Sequence, residues 1–87
     1  MKYTVIWQPS AEMDLATAWT ESNDRVAISQ AAERIDNVLG KIPEEAGESR
    51  SDGQRLLIDS PLAVIYRPEP LDRCVFVSAI WLTTRDR

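Results

Sequence analysis

The sequence predicts an α+β domain in the order β-α-α-β-β-β, with a largely antiparallel four-stranded sheet carrying a two-helix hairpin on one face. Three observations predict it. Residues 54–82 hold the densest apolar signal, in three runs separated by turn chemistry. Two stretches before them repeat apolar residues at helical spacing, and the opening residues alternate as a strand does.

In residues 2–7, Tyr3, Val5 and Trp7 fall on one face and Thr4 and Ile6 on the other, so this is the first strand. Pro9 suits the first turn of a helix, and Ala11, Leu15, Ala18 and Trp19 share one helical stripe, which predicts a helix over 9–21 with Trp19 in the core. Ser22-Asn23-Asp24 breaks it, because each of these residues caps a helix better than it continues one. The second helix carries the stripe Ile28, Ala31, Ala32, Ile35, Leu39 and Ile42 and ends near Gly40 and Pro43. Residues 44–53 are polar without a period and read as a loop, either a solvated connector or a segment bringing Glu48 and Arg50 over the sheet edge.

The meander follows as strands over 54–59, 62–67 and 73–82. Ser60-Pro61 is turn chemistry, and Pro68 and Pro70 cannot donate ladder hydrogen bonds, so the second hairpin is expected to open near Arg67. Both alternating sets of the last strand are largely apolar, which makes it a central strand. Trp7 and Trp81 end their strands, where they pack in the core or serve as half-exposed anchors for a partner.

An 87-residue chain is one domain of modest stability, to which a partner could add core. Cys74, the lone cysteine, is expected as a buried small hydrophobe in a reducing compartment. The start reaches Gln8-Pro9 before a signal-peptide core could form, and no apolar run is long enough for a membrane helix, so the expected location is the cytoplasm without membrane contact. The net charge of −4 is uneven. Residues 1–53 carry 5 Lys/Arg against 10 Asp/Glu, whereas 54–87 carry 5 against 4. Such a chain is poorly suited to general phosphate-backbone binding, although the sheet half could hold a local basic spot.

The chain has no His, which excludes Ser-His and Cys-His catalysis and imidazole zinc sites, and a lone cysteine cannot build a thiolate cage. No Gly-rich phosphate loop is present, and Glu44-Glu45 reads as solvated charge. No metal or cofactor is expected. What remains is a set of arginines, and strand register decides whether they meet. If Asp59 pairs with Ala63, Arg55 faces Arg67 on one side of the sheet; a slip of one residue separates them. Facing each other they would bracket a phosphate, or pair with local acids such as Glu48 or Glu69.

The order of elements and their residues together resemble the RelE/ParE family of small bacterial toxins from type II toxin–antitoxin modules. The matching features are Tyr3-Thr4-Val5-Ile6-Trp7-Gln8-Pro9 with Ala11 and Asp14-Leu15, the second helix through Ile35 and Leu39 to Pro43, then Gly47, Arg55-Leu56-Leu57, Val64-Ile65-Tyr66-Arg67 and the closing run from Val75 to Trp81. The resemblance covers almost the whole chain. It implies a compact sheet with a helix hairpin and a cognate antitoxin whose extended segment wraps the toxin. RelE-like members cut messenger RNA on the ribosome without a metal, and ParE-like members poison DNA gyrase.

Carried over by position, Arg55 and Arg67 look like the family's phosphate-contacting arginines, and Arg85 lies where members often place a further functional residue. A ribonuclease would thus use Arg55, Arg67, Arg85 and Glu48 in catalysis, with Glu48 as base and Arg50 and Arg73 binding substrate. A non-catalytic toxin binding gyrase or another protein stays open beside it, as do an attenuated member serving as a binding module and a homo-oligomer.

Overall fold

The computed structural model describes residues 2–83. Its elements are β1 (Thr4–Trp7), α1 (Pro9–Glu21), α2 (Arg25–Lys41), β2 (Glu48–Ser49), β3 (Arg55–Asp59), β4 (Leu62–Glu69) and β5 (Cys74–Leu82), with single 3-10 turns at Ser51–Gly53 and Pro70–Asp72. The strands form one mixed sheet in the order β1-β5-β4-β3-β2, in which β1 runs parallel to β5 and the other neighbours are antiparallel. The α+β class and the order of the main elements are as the sequence predicts.

The sheet has five strands where four were expected. The additional strand, β2, lies inside the polar stretch read as a loop. Its hairpin to β3 is closed by Arg50 N donating to Gln54 O at 2.7 Å. Two exposed residues, Glu48 and Ser49, have no alternation to detect.

The helices begin and end for local reasons. Pro9 opens α1, and Ser22 closes it with its N–H on Ala18 O. Asp24 then caps α2 by accepting from Ala27 N at 3.0 Å. The two helices cover one face of the sheet. Ile28, Ala31, Ile35 and Leu39 of α2 are buried against Leu62, Val64 and Tyr66 of β4 and Val75, Val77 and Ile80 of β5. From α1 only Ala11 and Ala18 are fully buried. These small side chains let α1 lie close over β5, where Ser10 Oγ donates to Ser78 O (2.8 Å) and Asp14 Oδ2 accepts from Ile80 N (3.2 Å). Those bonds hold a bulge: Ile65 pairs with Ala79 but Tyr66 with Val77, so Ser78 is the extra residue.

Three local expectations are corrected. Trp19 is 41% exposed rather than core, because α1 buries its alanines and leaves the larger ring at the rim. Cys74 is only half-buried, at the start of β5. Finally, β4 continues through Pro68 to Glu69, with Pro68 paired to Val75. The β3 pairing ends at Arg55 and Tyr66, so Pro68 stands where β4 has become an edge, a place proline tolerates.

Candidate functional site

Strand register fixes which arginines can act together. The β3–β4 hairpin turns on two residues, Ser60 and Pro61, with Asp59 paired to Leu62 and Arg55 to Tyr66. This is one residue out from the register that would bring Arg55 opposite Arg67, so the expected pair does not form. Arg55 shares the helix-covered face with Tyr66, and Arg67 points to the open face.

On the covered side Arg55 is tied into the segment after α2. Its Nε donates to Ala46 O at 2.9 Å and its Nη2 to Gly47 O at 3.1 Å. The buried Tyr66 hydroxyl is directed at the same Ala46 carbonyl and at Pro43 O, 2.9 Å away. Burial raises the Tyr66 pKa above its ordinary value, opposed by the nearby Arg55 guanidinium. A phenol held neutral under the sheet is no proton donor for the open face.

The open face is largely apolar. By register, Ile6, Phe76 and Arg67 form one row across β1, β5 and β4; Leu56, Ile65 and Ala79 form the next, and Ile58, Ala63 and Trp81 a third. Ile6, Ile58 and Trp81 are 36%, 60% and 44% exposed. Arg67 is half-buried in a cleft of about 330 Å³ with Gln8, Gln54, Phe76 and Ser78. It has no carboxylate partner among the described residues. Two amides, a hydroxyl and an aromatic face around one guanidinium can hold a single anionic or carbonyl group against a flat ring. They offer no general acid or base.

The other expected site residues do not converge on this cleft. Glu48 and Arg50 are exposed at the β2 edge and approach each other at 3.8 Å, while Arg73 is exposed in the turn before β5 with a left-handed backbone (φ 54°). Nearby, the Tyr3 pKa is raised chiefly by its hydrogen bond to Glu44, with a smaller opposing effect from Arg73. Glu48 and Glu69 form no ion pair with Arg55 or Arg67 among the described residues. Arg85 lies outside the described residues.

No protein-family model matches the sequence, and a search of curated proteins finds no match. Solved structures do match over nearly the whole chain. The RelBE2 toxin–antitoxin complex of Mycobacterium tuberculosis superposes with a TM-score of 0.77 at 19% identity, covering 94% of this chain and 92% of that one. The chromosomal ParDE system of P. aeruginosa gives 0.74 at 16% identity, covering 95% and 98%. A free-state mutant of E. coli RelE gives 0.68 at 18%, covering 94% and 84%. The chain has the RelE/ParE toxin fold.

Within that fold, the cleft residues Gln8, Gln54, Phe76 and Ser78 escape the sequence reading, although a signal exists for two of them. Gln8 follows β1 and Gln54 precedes β3, so both are polar residues at strand ends. Ser78 enters the cleft region through a bulge that alternation does not reveal.

Proposed function

We propose that this chain is the growth-inhibiting toxin of a type II toxin–antitoxin pair in the bacterial cytoplasm, and that it acts by binding a target protein rather than by cutting RNA. The RelE/ParE fold supports the toxin reading and a cognate antitoxin as partner. The choice of activity is carried by one observation: Arg55 is spent on Ala46 and Gly47 under the sheet, leaving Arg67 beside an apolar open face. A phosphate-cleaving site without metal relies on several converging cations and a proton-transfer group. An apolar face with one arginine among the described residues suits a protein partner, for which aromatic and arginine side chains are typical anchors.

The test is induction of the chain without its antitoxin, following growth, transcript integrity and DNA gyrase supercoiling in parallel. Growth arrest with intact transcripts, relieved by the antitoxin, is expected, and inhibited supercoiling would name gyrase as the target. Translation-dependent messenger cleavage lost in Arg67→Ala would replace this reading with the ribonuclease one. Unimpaired growth would return the attenuated binding module.

A further inference from the structure

We infer that the cleft around Arg67 is a receptor for the free carboxy-terminal end of a polypeptide chain. The inference rests on the protein-target reading and says which part of a target the cleft holds. Arg67, Gln8 and Gln54 are all half-buried, and their side chains make no hydrogen bond or ion pair among the described residues. Polar groups withdrawn from water are normally paired. Three unpaired ones line one space of about 330 Å³, which calls for a ligand that pairs them together. The guanidinium is also confined, because Gly53 lies against it: a β-carbon there would sit 3.3 Å from Arg67 Nη1.

Donors and acceptors select the occupant. Arg67 offers a planar fork of N–H groups, which matches a carboxylate in two parallel hydrogen bonds. Gln8 and Gln54 can each add an N–H donor or a carbonyl acceptor. Ser78 spends its hydroxyl proton on Ile65 O at 3.4 Å, so a ligand meets only its lone pairs. The matching ligand therefore carries one negative charge with an N–H close beside it. The last residue of a chain has both on a single Cα. A side-chain carboxylate is set off from its backbone N–H by methylene groups. A phosphate brings about 1.5 to 2 negative charges to one guanidinium and no donor for the acceptors, and a chain of net charge −4 is poorly suited to a nucleic-acid backbone. Size agrees, since the cleft is at the lower end of the ~300–1,000 Å³ of ligand pockets and takes a terminal residue rather than a helix. Phe76 gives its side chain an apolar wall, and the apolar rows from Ile6 to Trp81 receive the residues before it.

The experiment follows the Arg67 Nε and glutamine side-chain amide signals of the full isotope-labelled chain by NMR, assigned with Arg67→Lys, Gln8→Leu and Gln54→Leu. N-acetylleucine, the smallest mimic of a chain end, should shift them saturably with a Kd on the order of 1 mM. The comparison probes are N-acetylleucinamide, N-acetyl-Glu amide, whose carboxylate is on the side chain, inorganic phosphate and a short oligouridylate. Each should bind at least about 10-fold more weakly. Arg67→Lys, which keeps the charge and loses the fork, should weaken N-acetylleucine about 3- to 10-fold, and Gln54→Leu about 3-fold, with thermal melts unchanged. Any comparison probe binding closer to N-acetylleucine than that, indifference to Arg67→Lys, or no saturable shift with N-acetylleucine would each overturn the inference. Growth arrest and transcript integrity upon induction are separate readouts, so failure here and failure of the protein-target reading are told apart.

Discussion

Arg55 and Tyr66, paired across β3 and β4, converge on one acceptor, the carbonyl oxygen of Ala46. The guanidinium adds Gly47 O and the phenol adds Pro43 O, so two sheet residues pin the segment leaving α2. A buried carbonyl needs a partner, and here a charged and a neutral donor supply it together. One of the two arginines that look like phosphate ligands in the sequence is therefore a strap.

Arg55 and Arg67 should consequently separate stability from function. Arg55→Ala removes two hydrogen bonds from a charged donor and should cost about 1–3 kcal/mol in urea denaturation. Arg67→Ala removes no hydrogen bond or ion pair within the described residues and should stay within about 0.5 kcal/mol of the parent chain, while reducing growth arrest. Equal destabilisation by the two would contradict the register described above.

Tyr66 should confer an alkaline limit on stability. Its folded pKa lies above the unfolded value near 10 because the phenol is buried. Between the two values the unfolded chain binds fewer protons than the folded one, so stability falls as pH rises. The contribution is complete below the unfolded pKa and is lost as pH climbs through the folded one. Tyr66→Phe should cost about 1–2 kcal/mol at neutral pH and flatten the decline measured by denaturation at increasing alkaline pH. Tyr3, whose pKa is also raised, remains in the variant and sets its residual slope.

Gly47 is required by close approach. Its φ is +68°, and a β-carbon there would overlap the Leu56 carbonyl, lying 2.9 Å from the carbonyl carbon. Gly47→Ala should cost about 2–4 kcal/mol, combining left-handed strain with a backbone clash that only displacement of β2 relieves. At Gly53 (φ +76°) the nearest atom to a β-carbon is Arg67 Nη1 at 3.3 Å. That side chain can move, so Gly53→Ala should cost only about 1–2 kcal/mol. Thermal melts of the two variants give the comparison.

Helices were legible because their signals are local: Pro9, Asp24 and the stripe from Ile28 to Leu39 each act within a few residues of the sequence. Register was not, because it depends on whether Leu62 belongs to the turn or to the strand, and Asp59-Ser60-Pro61-Leu62 fits either count. One residue there moved Arg55 to the other face. The bulge at Ser78 was hidden for a related reason: both alternating sets of β5 are apolar, so a shift in phase leaves no mark. Trp19 was misread because the stripe it shares with Ala11 and Ala18 is filled at its centre by alanines.

The open face gives the sharpest test of target binding. Ile6 and Ile58 lie in separate rows of that face, flanking the row of Leu56, Ile65 and Ala79, and both are exposed. Neither belongs to the core cluster, so Ile6→Glu and Ile58→Glu should each change stability by under about 1 kcal/mol. In a protein interface the same change buries an unpaired charge, which typically costs several kcal/mol of binding. Growth arrest should therefore disappear while the thermal melt is kept. A site acting only through Arg67 on a small anion predicts a different pattern: Ile6→Glu, in the Arg67 row, would interfere, and Ile58→Glu, two rows away, would not. Growth curves and melts of the two single variants distinguish a broad protein-binding face from a local anion cleft.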